Sequence, residues 1–498
     1  MIEQETITYK KSRILINIAY IYVTLPFLIF IIGWIKWYYA LVMCSVIIYS
    51  LLKIMKNTEP VWCPDSSKKN TLKITIILLI ISILVFLSGI GKYAWQNFDH
   101  STRNTIFRIM VEDEWPLISY DWNCEGSGLI YYIGFWLPAA VIGKLTNLYI
   151  GNFFQVIWAI LGILIVYFLI SSIIKKLLIW PLLLFLFFSG LDILGAIITI
   201  PEKITLIHHL EWWTGNYYQY SSVITQIFWV YNQSIPAWCI TMLMFIQTKS
   251  DNLIFLLALS MLCSTIPFLG LIPLVIYLIL TRSELHLVAS SGSNLFSLFK
   301  KIVKEVCTFQ NILGGGIIGI ISFLYLQGNS ASQYISINLP LNVVRLIIYY
   351  IFIFLEVGVY LLVIYKYQKK NGIYYLIGVC LSLFPFVKVG TSADFCMRAS
   401  IPALLILILL VIDTILQAYC KRDMKTIIIL FIIFLIGSVT PIIEINRTVI
   451  NTYNSFKAYG SLEIEEDTRK EVYEELNISG VKYSGNIKDN VFYEIFVK

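Results

Sequence analysis

Charge is what this sequence has least of. Of its 498 residues only 13% are Asp, Glu, Lys or Arg, against roughly 25% in an average soluble chain. A soluble globular protein of this size is therefore excluded. The nine Cys include no CxxC pair, which removes the sequence basis for a zinc site or a dithiol redox centre. Several of them (Cys44, Cys239, Cys263 and Cys380) lie inside apolar runs. There is no Gly-x-x-x-x-Gly-Lys-Ser/Thr loop to cradle a nucleotide. No internal repeat is visible, which counts against the commonest transporter architectures. No cleavable leader is evident either: the first apolar run is long and soon followed by another, and reads as a retained helix. The net charge of +7 sits mainly in short loops between apolar runs. It is a topology signal and does not point to nucleic acid.

What the chain does have is apolar length. Hydrophobic residues make up 58% of it, and mean hydropathy is +0.78. Apolar runs occupy 14–34, 37–52, 74–90, 153–170, 177–200, 253–280, 346–364, 403–416 and 427–436, with shorter ones near 235, 312 and 373. A bilayer core of roughly 30 Å needs about 20 helical residues to cross. The pattern predicts an all-α polytopic membrane protein of about thirteen transmembrane helices. Basic residues place the N-terminus inside and the C-terminus outside, in a bacterial plasma membrane; the wealth of Ile, Lys, Tyr and Asn suggests an AT-rich bacterial genome.

This topology requires that the run 129–141, "LIYYIGFWLPAAV", lies in the interface and does not span. Only then do the later Lys and Arg clusters fall inside. Pro138, Gly134 and four aromatics suit that placement. It also requires 253–280 to be two short helices turning near Pro267. The chain then divides into a transmembrane domain, 1–442, and a small α/β outer tail, 443–498. The tail holds one expected helix, "SLEIEEDTRKEVYEELNISG", and one expected strand, "NVFYEIFVK". No chemistry is assigned to it, and its Asn477 glycosylation-type triplet has no meaning in a bacterium.

Ionisable and amide residues collect on the predicted outer side. The first outer loop, 91–150, carries "FDHSTRN", with Asp99, His100, Arg103 and Asn104 just past the third helix. Asp99 is read either as a helix cap or as a carboxylate at the membrane edge. In the helix that follows, Ile106, Phe107, Met110 and Val111 share one face, which predicts a helix lying on the membrane. The second outer loop, 200–234, carries His208, His209 and Glu211, then Gln219, Tyr220, Gln226, Asn232 and Gln233 among dense aromatics. Aromatics alone are the usual interface belt. Amides interleaved with aromatic faces suit a polyhydroxylated ligand such as a sugar. A third stretch, "KVGTSADFCMRASIPALL", places Asp394 and Arg398 four apart. They could pair with each other, or Arg398 could hold a phosphate. Arg345 and Lys388 are further cations on that side. Cys124 and Cys396 also fall outside, where a disulfide between them is one reading.

An outer active site has no nucleotide supply, so its donor must arrive in the membrane, for example as a sugar on a polyprenyl phosphate. Transfer from such a donor needs a carboxylate base for the acceptor hydroxyl and cations for the departing lipid phosphate. The order of features across 70–400 resembles the GT-C superfamily of membrane glycosyltransferases. A long first outer loop has an acidic residue near its start (Asp99), followed by an interfacial segment, "GLIYYIGFWLPAAVIGKL", and a span ending in Lys175 and Lys176. More narrowly, "QYSSVITQIFWVYNQSIPAW" and "SADFCMRASIPAL" are similar to bacterial proteins of surface-polysaccharide clusters described as GT-C members.

The resemblance implies that Asp99 is the catalytic carboxylate, with Glu211 as runner-up, and that the acceptor is a glycan or lipid-linked glycan. It implies a divalent cation, Mg or Mn, in some members. The nearest acids here, Glu112, Asp113 and Glu114, form no Asp-x-Asp pair. An O-antigen-type polymerase is the first alternative, disfavoured by large outer loops that come early in the chain. A lipid-linked-sugar flippase or transporter is the second. Against it, Asp192, Glu356 and Asp413, the few acids within spans, are not expected to line up as a relay.

Overall fold

The structure is a computed structural model that describes residues 11–65, 67–119, 127–215, 217–282, 295–329, 335–340, 342–389, 393–462, 484–487 and 490–498. The protein is almost entirely helical. Among the described residues nine helical stretches are long and apolar enough to cross a membrane, the multi-pass pattern expected from the sequence. The shorter apolar helices Gly134–Leu145, Leu253–Cys263 and Gly372–Phe386 add to them.

The chain opens with α1 (Ile14–Trp34), α2 (Trp37–Asn57) and α3 (Lys68–Leu87). Then comes α4 (Asp99–Glu112), the short α5 (Leu137–Leu145) and the 27-residue α6 (Leu148–Ile174). The helical stretch Gly134–Leu145 is only about 18 Å long at 1.5 Å per residue. It is too short to cross, in keeping with the interfacial reading of 129–141. The apolar face of α4 is not left for lipid, as its pattern suggested. Ile106, Phe107, Met110 and Val111 are all buried in protein. Gly143 and Gly151 let the three helices close: a Cβ on Gly143 would stand 2.7 Å from Val111, and one on Gly151 3.2 Å from Phe107.

The next apolar run is broken. α7 (Trp180–Leu186) and α8 (Asp192–Thr199) are separated by an unwound segment, 187–191. Beyond it, the segment read as an outer loop to residue 234 becomes helical at Val223. From there α9 (Val223–Ile246) runs through the centre of the protein, and every residue from Val223 to Met244 is buried. Its irregularity has two visible sources. Val230 leaves helical geometry (φ −138°, ψ 32°), and Pro236 removes a backbone donor. The Ser234 hydroxyl donates to the carbonyl of Gln226, eight residues back, at 3.1 Å.

α10 (Leu253–Cys263) and α11 (Thr265–Arg282) form the expected short pair. The chain turns at Ser264 (φ −154°, ψ 67°), three residues before Pro267. Arg282 closes the hairpin by donating to the carbonyls of Met244 and Lys249. After α12 (Leu295–Val306), a π-turn, Gln310–Gly314, leads into α13 (Gly315–Gln327). The stretch Val343–Gln368 is α14 (Val343–Ile353), a π-turn at Phe354–Gly358, and α15 (Val359–Gln368). α16 (Gly372–Leu383), α17 (Asp394–Ala399), α18 (Ile401–Cys420), α19 (Met424–Gly437) and α20 (Val439–Tyr459) follow.

The described residues after 442 are joined to the elements before them. α20 passes through 443 without a break. Strand β2 (Ser127–Leu129), paired with β1 (Ile118–Ser119), also pairs antiparallel with Ser484–Asn486 of the tail. "NVFYEIFVK", expected as a strand, contains the helix Val491–Ile495 instead. It is amphipathic at helical spacing, and Phe492 stacks on Phe30 with ring centroids 5.8 Å apart. The expected helix from Ser461 to Gly480 lies outside the described residues from 463 onward, as does Cys124, so the proposed disulfide has one partner there.

The tightest helix contact is at Gly270 of α11, where an added Cβ would stand 2.0 Å from the Ala399 carbonyl. Gly270→Ala is therefore expected to destabilise by about 1–3 kcal/mol through overpacking. Gly316→Ala, with nothing within 4 Å of its Cβ, should be neutral or slightly stabilising. Unfolding midpoints of the two purified variants in detergent check the contrast.

Candidate functional site

Two polar clusters sit at the end of the bundle where α4 begins. The first is built from residues far apart in sequence. Arg103, on the first turns of α4, is bonded to Asp99 at 2.8 Å; the arginine side chain is only 6% exposed and the aspartate 27%. Asp99 does not cap α4. Its own N–H is taken by Asn97 Oδ1 at 3.1 Å, which leaves its carboxylate for Arg103 and solvent. The Arg103 guanidinium lies over the Tyr231 ring of α9, 5.9 Å from the centroid.

Tyr132 reaches the same place from the interfacial segment. Its hydroxyl is bonded to Tyr131, accepts from Gln233 Nε2 of α9 at 3.1 Å and accepts from Arg398 Nη1 at 3.1 Å. Arg398, on α17, also pairs with Asp394 at 3.2 Å, the first of the two sequence readings of that pair. The Asp99 charge is near enough to be felt at Arg398. Several buried polar atoms here have no hydrogen-bond partner: Arg103 Nη1, Arg398 Nε, Gln233 Oε1 and both amide atoms of Asn232. A buried donor or acceptor left unmade costs roughly 1–3 kcal/mol, so this concentration of them marks a place suited to a polar ligand.

His100 and Asn104 serve the scaffold. His100 Nε2 bonds the Phe228 carbonyl at 2.9 Å, and Asn97 donates to the same oxygen at 3.0 Å. Asn104 donates to Gln96 Oε1 at 2.8 Å, and Gln96 in turn donates to the Gly89 carbonyl. These bonds pin the start of α4 to the break in α9.

The second cluster surrounds His209. Its Nδ1 is bonded to the Glu444 carboxylate of α20, and its Nε2 is 3.7 Å from Glu211. Glu444 also accepts from Trp229 Nε1 at 3.1 Å and pairs with Arg447 at 3.1 Å. Glu211 is buried, with one oxygen on Gln219 Nε2 and the other on the Ser222 N–H, both at 2.9 Å. Burial works against a charged imidazole at His209, but the Glu444 carboxylate outweighs it and raises the ring above its usual value. His208 is half-buried, and burial lowers it.

The remaining candidates are dispersed. Tyr220 donates to the Leu381 carbonyl, and Gln226 to that of Ser221. Arg345 stacks on Tyr217, 4.4 Å from its centroid. Lys388 stands opposite Ser336 in the small ribbon of β3 (Ile335–Ile337) and β4 (Val387–Val389). Glu112 is drawn to Arg108 at 2.9 Å, and the Asp113 carbonyl accepts from Lys144. Among the described residues no group of three His, Cys, Asp or Glu side chains is arranged to hold a metal ion.

Sequence reasoning missed Tyr131 and Tyr132 as site residues, and Glu444 with Arg447 altogether. The two acids judged unconnected, Asp192 and Glu356, are brought within side-chain hydrogen-bonding reach of each other, whereas Asp413 is bonded elsewhere, to Gln368 and Gln417. The i,i+3 spacing of Glu444 and Arg447 in an otherwise apolar start to α20 was a usable signal. No protein-family model, curated protein or solved structure matches this chain.

Burial, then the nearby Arg103 charge, pushes His100 from 6.5 down to about 4. Between those values the folded ring is neutral while the unfolded one binds a proton. The His100 contribution to stability is therefore complete above about pH 6.5 and declines as pH falls toward 4. The unfolding midpoint should drop across this window, and His100→Gln should flatten the drop. An unchanged slope in the variant would assign the decline to other groups.

Proposed function

We propose that this protein is a glycosyltransferase that moves a sugar from a polyprenyl-phosphate donor to a glycan or lipid-linked acceptor at the outer face of a bacterial membrane. The single observation that carries the reading is the convergence of Asp99, Arg103, Tyr132, Gln233 and Arg398 from four separate parts of the chain. Arg103 and Arg398 each hold a buried N–H without a partner, which fits an anionic group with several acceptor oxygens. Asp99 is the exposed edge of the same cluster.

In this reading Arg398 and Arg103 hold the lipid phosphate. Asp99 takes the proton of the acceptor hydroxyl as its oxygen attacks the anomeric carbon. The bond from that carbon to the phosphate oxygen breaks, and the electron pair leaves on the lipid phosphate, where the two guanidinium groups stabilise it. In the resting site the Asp99 carboxylate is engaged by Arg103. A phosphate that engages Arg103 frees the carboxylate as the donor arrives. Gln233 and Asn232, with open amide atoms, suit sugar hydroxyls. Glu211 and His209 stand outside this mechanism, since their bonds close on each other and on Glu444. A second reading, a lipid-linked-sugar flippase, is favoured by the buried Asp192 and Glu356 pair alone.

The test is transfer from polyprenyl-phosphate sugar in reconstituted vesicles. Asp99→Asn is expected to lower turnover by about 10²–10⁴, the usual range for a lost general base, with donor binding retained. Arg398→Gln should weaken donor binding and turnover together. Full activity in Asp99→Asn removes the base assignment, and sugar-lipid movement across the bilayer with no transfer at all supports the flippase.

A further inference from the structure

Glu356 has both carboxyl oxygens buried without a hydrogen-bond donor, deep in the apolar stretch Val343–Gln368. Its side chain lies in the π-turn Phe354–Gly358. Such one-turn irregularities are frequent at functional positions. It points into the unwound segment between α7 and α8, so closely that a Cβ on Gly190 would stand 1.8 Å from its Oε2. There it comes within hydrogen-bonding reach of Asp192, the first residue of α8. Both residues are 1% exposed.

Asp192 is well supplied with donors. Its Oδ2 accepts from Ser189 Oγ at 2.9 Å and from Thr440 Oγ1 at 3.1 Å, and its Oδ1 from Trp213 Nε1 at 3.3 Å. Glu356 makes no such bond to Ser189 or Thr440, although the Trp213 indole also lies near it, and among the described residues no Lys or Arg is bonded to either carboxyl. Tyr360, one turn along from Glu356, directs its hydroxyl to the Ser189 carbonyl at 2.9 Å. Ionised carboxylates are acceptors only. Two of them in contact, buried and without a cation, repel strongly in a low dielectric. The arrangement is favourable when a single proton lies between them, carried as Glu356 O–H and donated to Asp192.

The same short turn that sends Trp213 to Asp192, Leu210–Thr214, carries Glu211. Glu211 meets His209 at 3.7 Å, and His209 is bonded to Glu444, which pairs with Arg447. His208 beside it is half exposed. Titratable groups therefore continue from the pair toward the end of the bundle where α4 lies. Intramembrane acids of this kind are the usual stations of proton relays.

We propose that Asp192 and Glu356 form a proton-binding site within the membrane, holding one proton between them and exchanging it with the surface through Glu211 and His209. The proposal is independent of glycosyl transfer and rests on no donor or acceptor. The proton moves from one carboxyl oxygen to another or to an imidazole nitrogen, so nothing but a proton is exchanged with the surface. It gives the unwound α7–α8 joint and the π-turn a common role: their packing depends on the charge of the pair.

The test is infrared spectroscopy of the full-length protein in vesicles, in H2O and D2O at neutral pH. A carboxylic-acid C=O band that shifts in D2O is expected, and it should vanish in Glu356→Gln. His209→Asn should slow the D2O shift several-fold while leaving the band. No acid band in the wild type would overturn the site without reference to any variant, and a band unchanged in Glu356→Gln and in Asp192→Asn would do so as well. A band abolished by added sodium ions at constant pH would make the pair a metal-cation site instead. An unaltered exchange rate in His209→Asn would overturn the route.

Discussion

The candidate site hangs on the break in α9. A helix interrupted in a buried, water-poor setting exposes backbone carbonyls that something must satisfy. At Phe228 two donors do so, Asn97 and His100, from the start of α4. That joint turns Tyr231 toward Arg103 and sets Gln233 against Tyr132. It ties the start of α4, whose apolar face packs on α5 and α6, to the break in α9. The neutral imidazole is part of the same device. With hydrogen on Nε2 it donates to Phe228, and its Nδ1 faces the Gln96 amide.

A second theme is the use of helix irregularity to bring ionisable groups inside. The α7–α8 gap, the Val230 break and the π-turn at Phe354–Gly358 each carry or face a polar group that a regular apolar helix would leave without a partner. Two buried networks result, one around Arg103 and Arg398 and one around Asp192, Glu211 and His209. They approach each other at Phe98 and Trp229, whose rings meet edge-on at 5.3 Å, with His209 5.0 Å from Trp229 on the other side.

Apolar run length and charge scarcity suffice for the helical, multi-pass character, because crossing a bilayer is a one-dimensional requirement. Local spacing was enough for the Asp394–Arg398 pair and for a short helix within 129–141. The sequence also marked Asp99, Arg103, Gln233 and Arg398 as unusual, since each is costly to place beside apolar neighbours. Which of these meet was decided only by the tertiary structure. Tyr132 lies 101 residues from Gln233 and 266 from Arg398, and Glu444 lies 235 from His209. No periodicity encodes such distances. Contacts of that kind follow from how helices stack and where they break, and that depends on the summed packing of the whole bundle. For the same reason α4's apolar face found protein where the pattern alone suggested lipid, and Asp192 found Glu356.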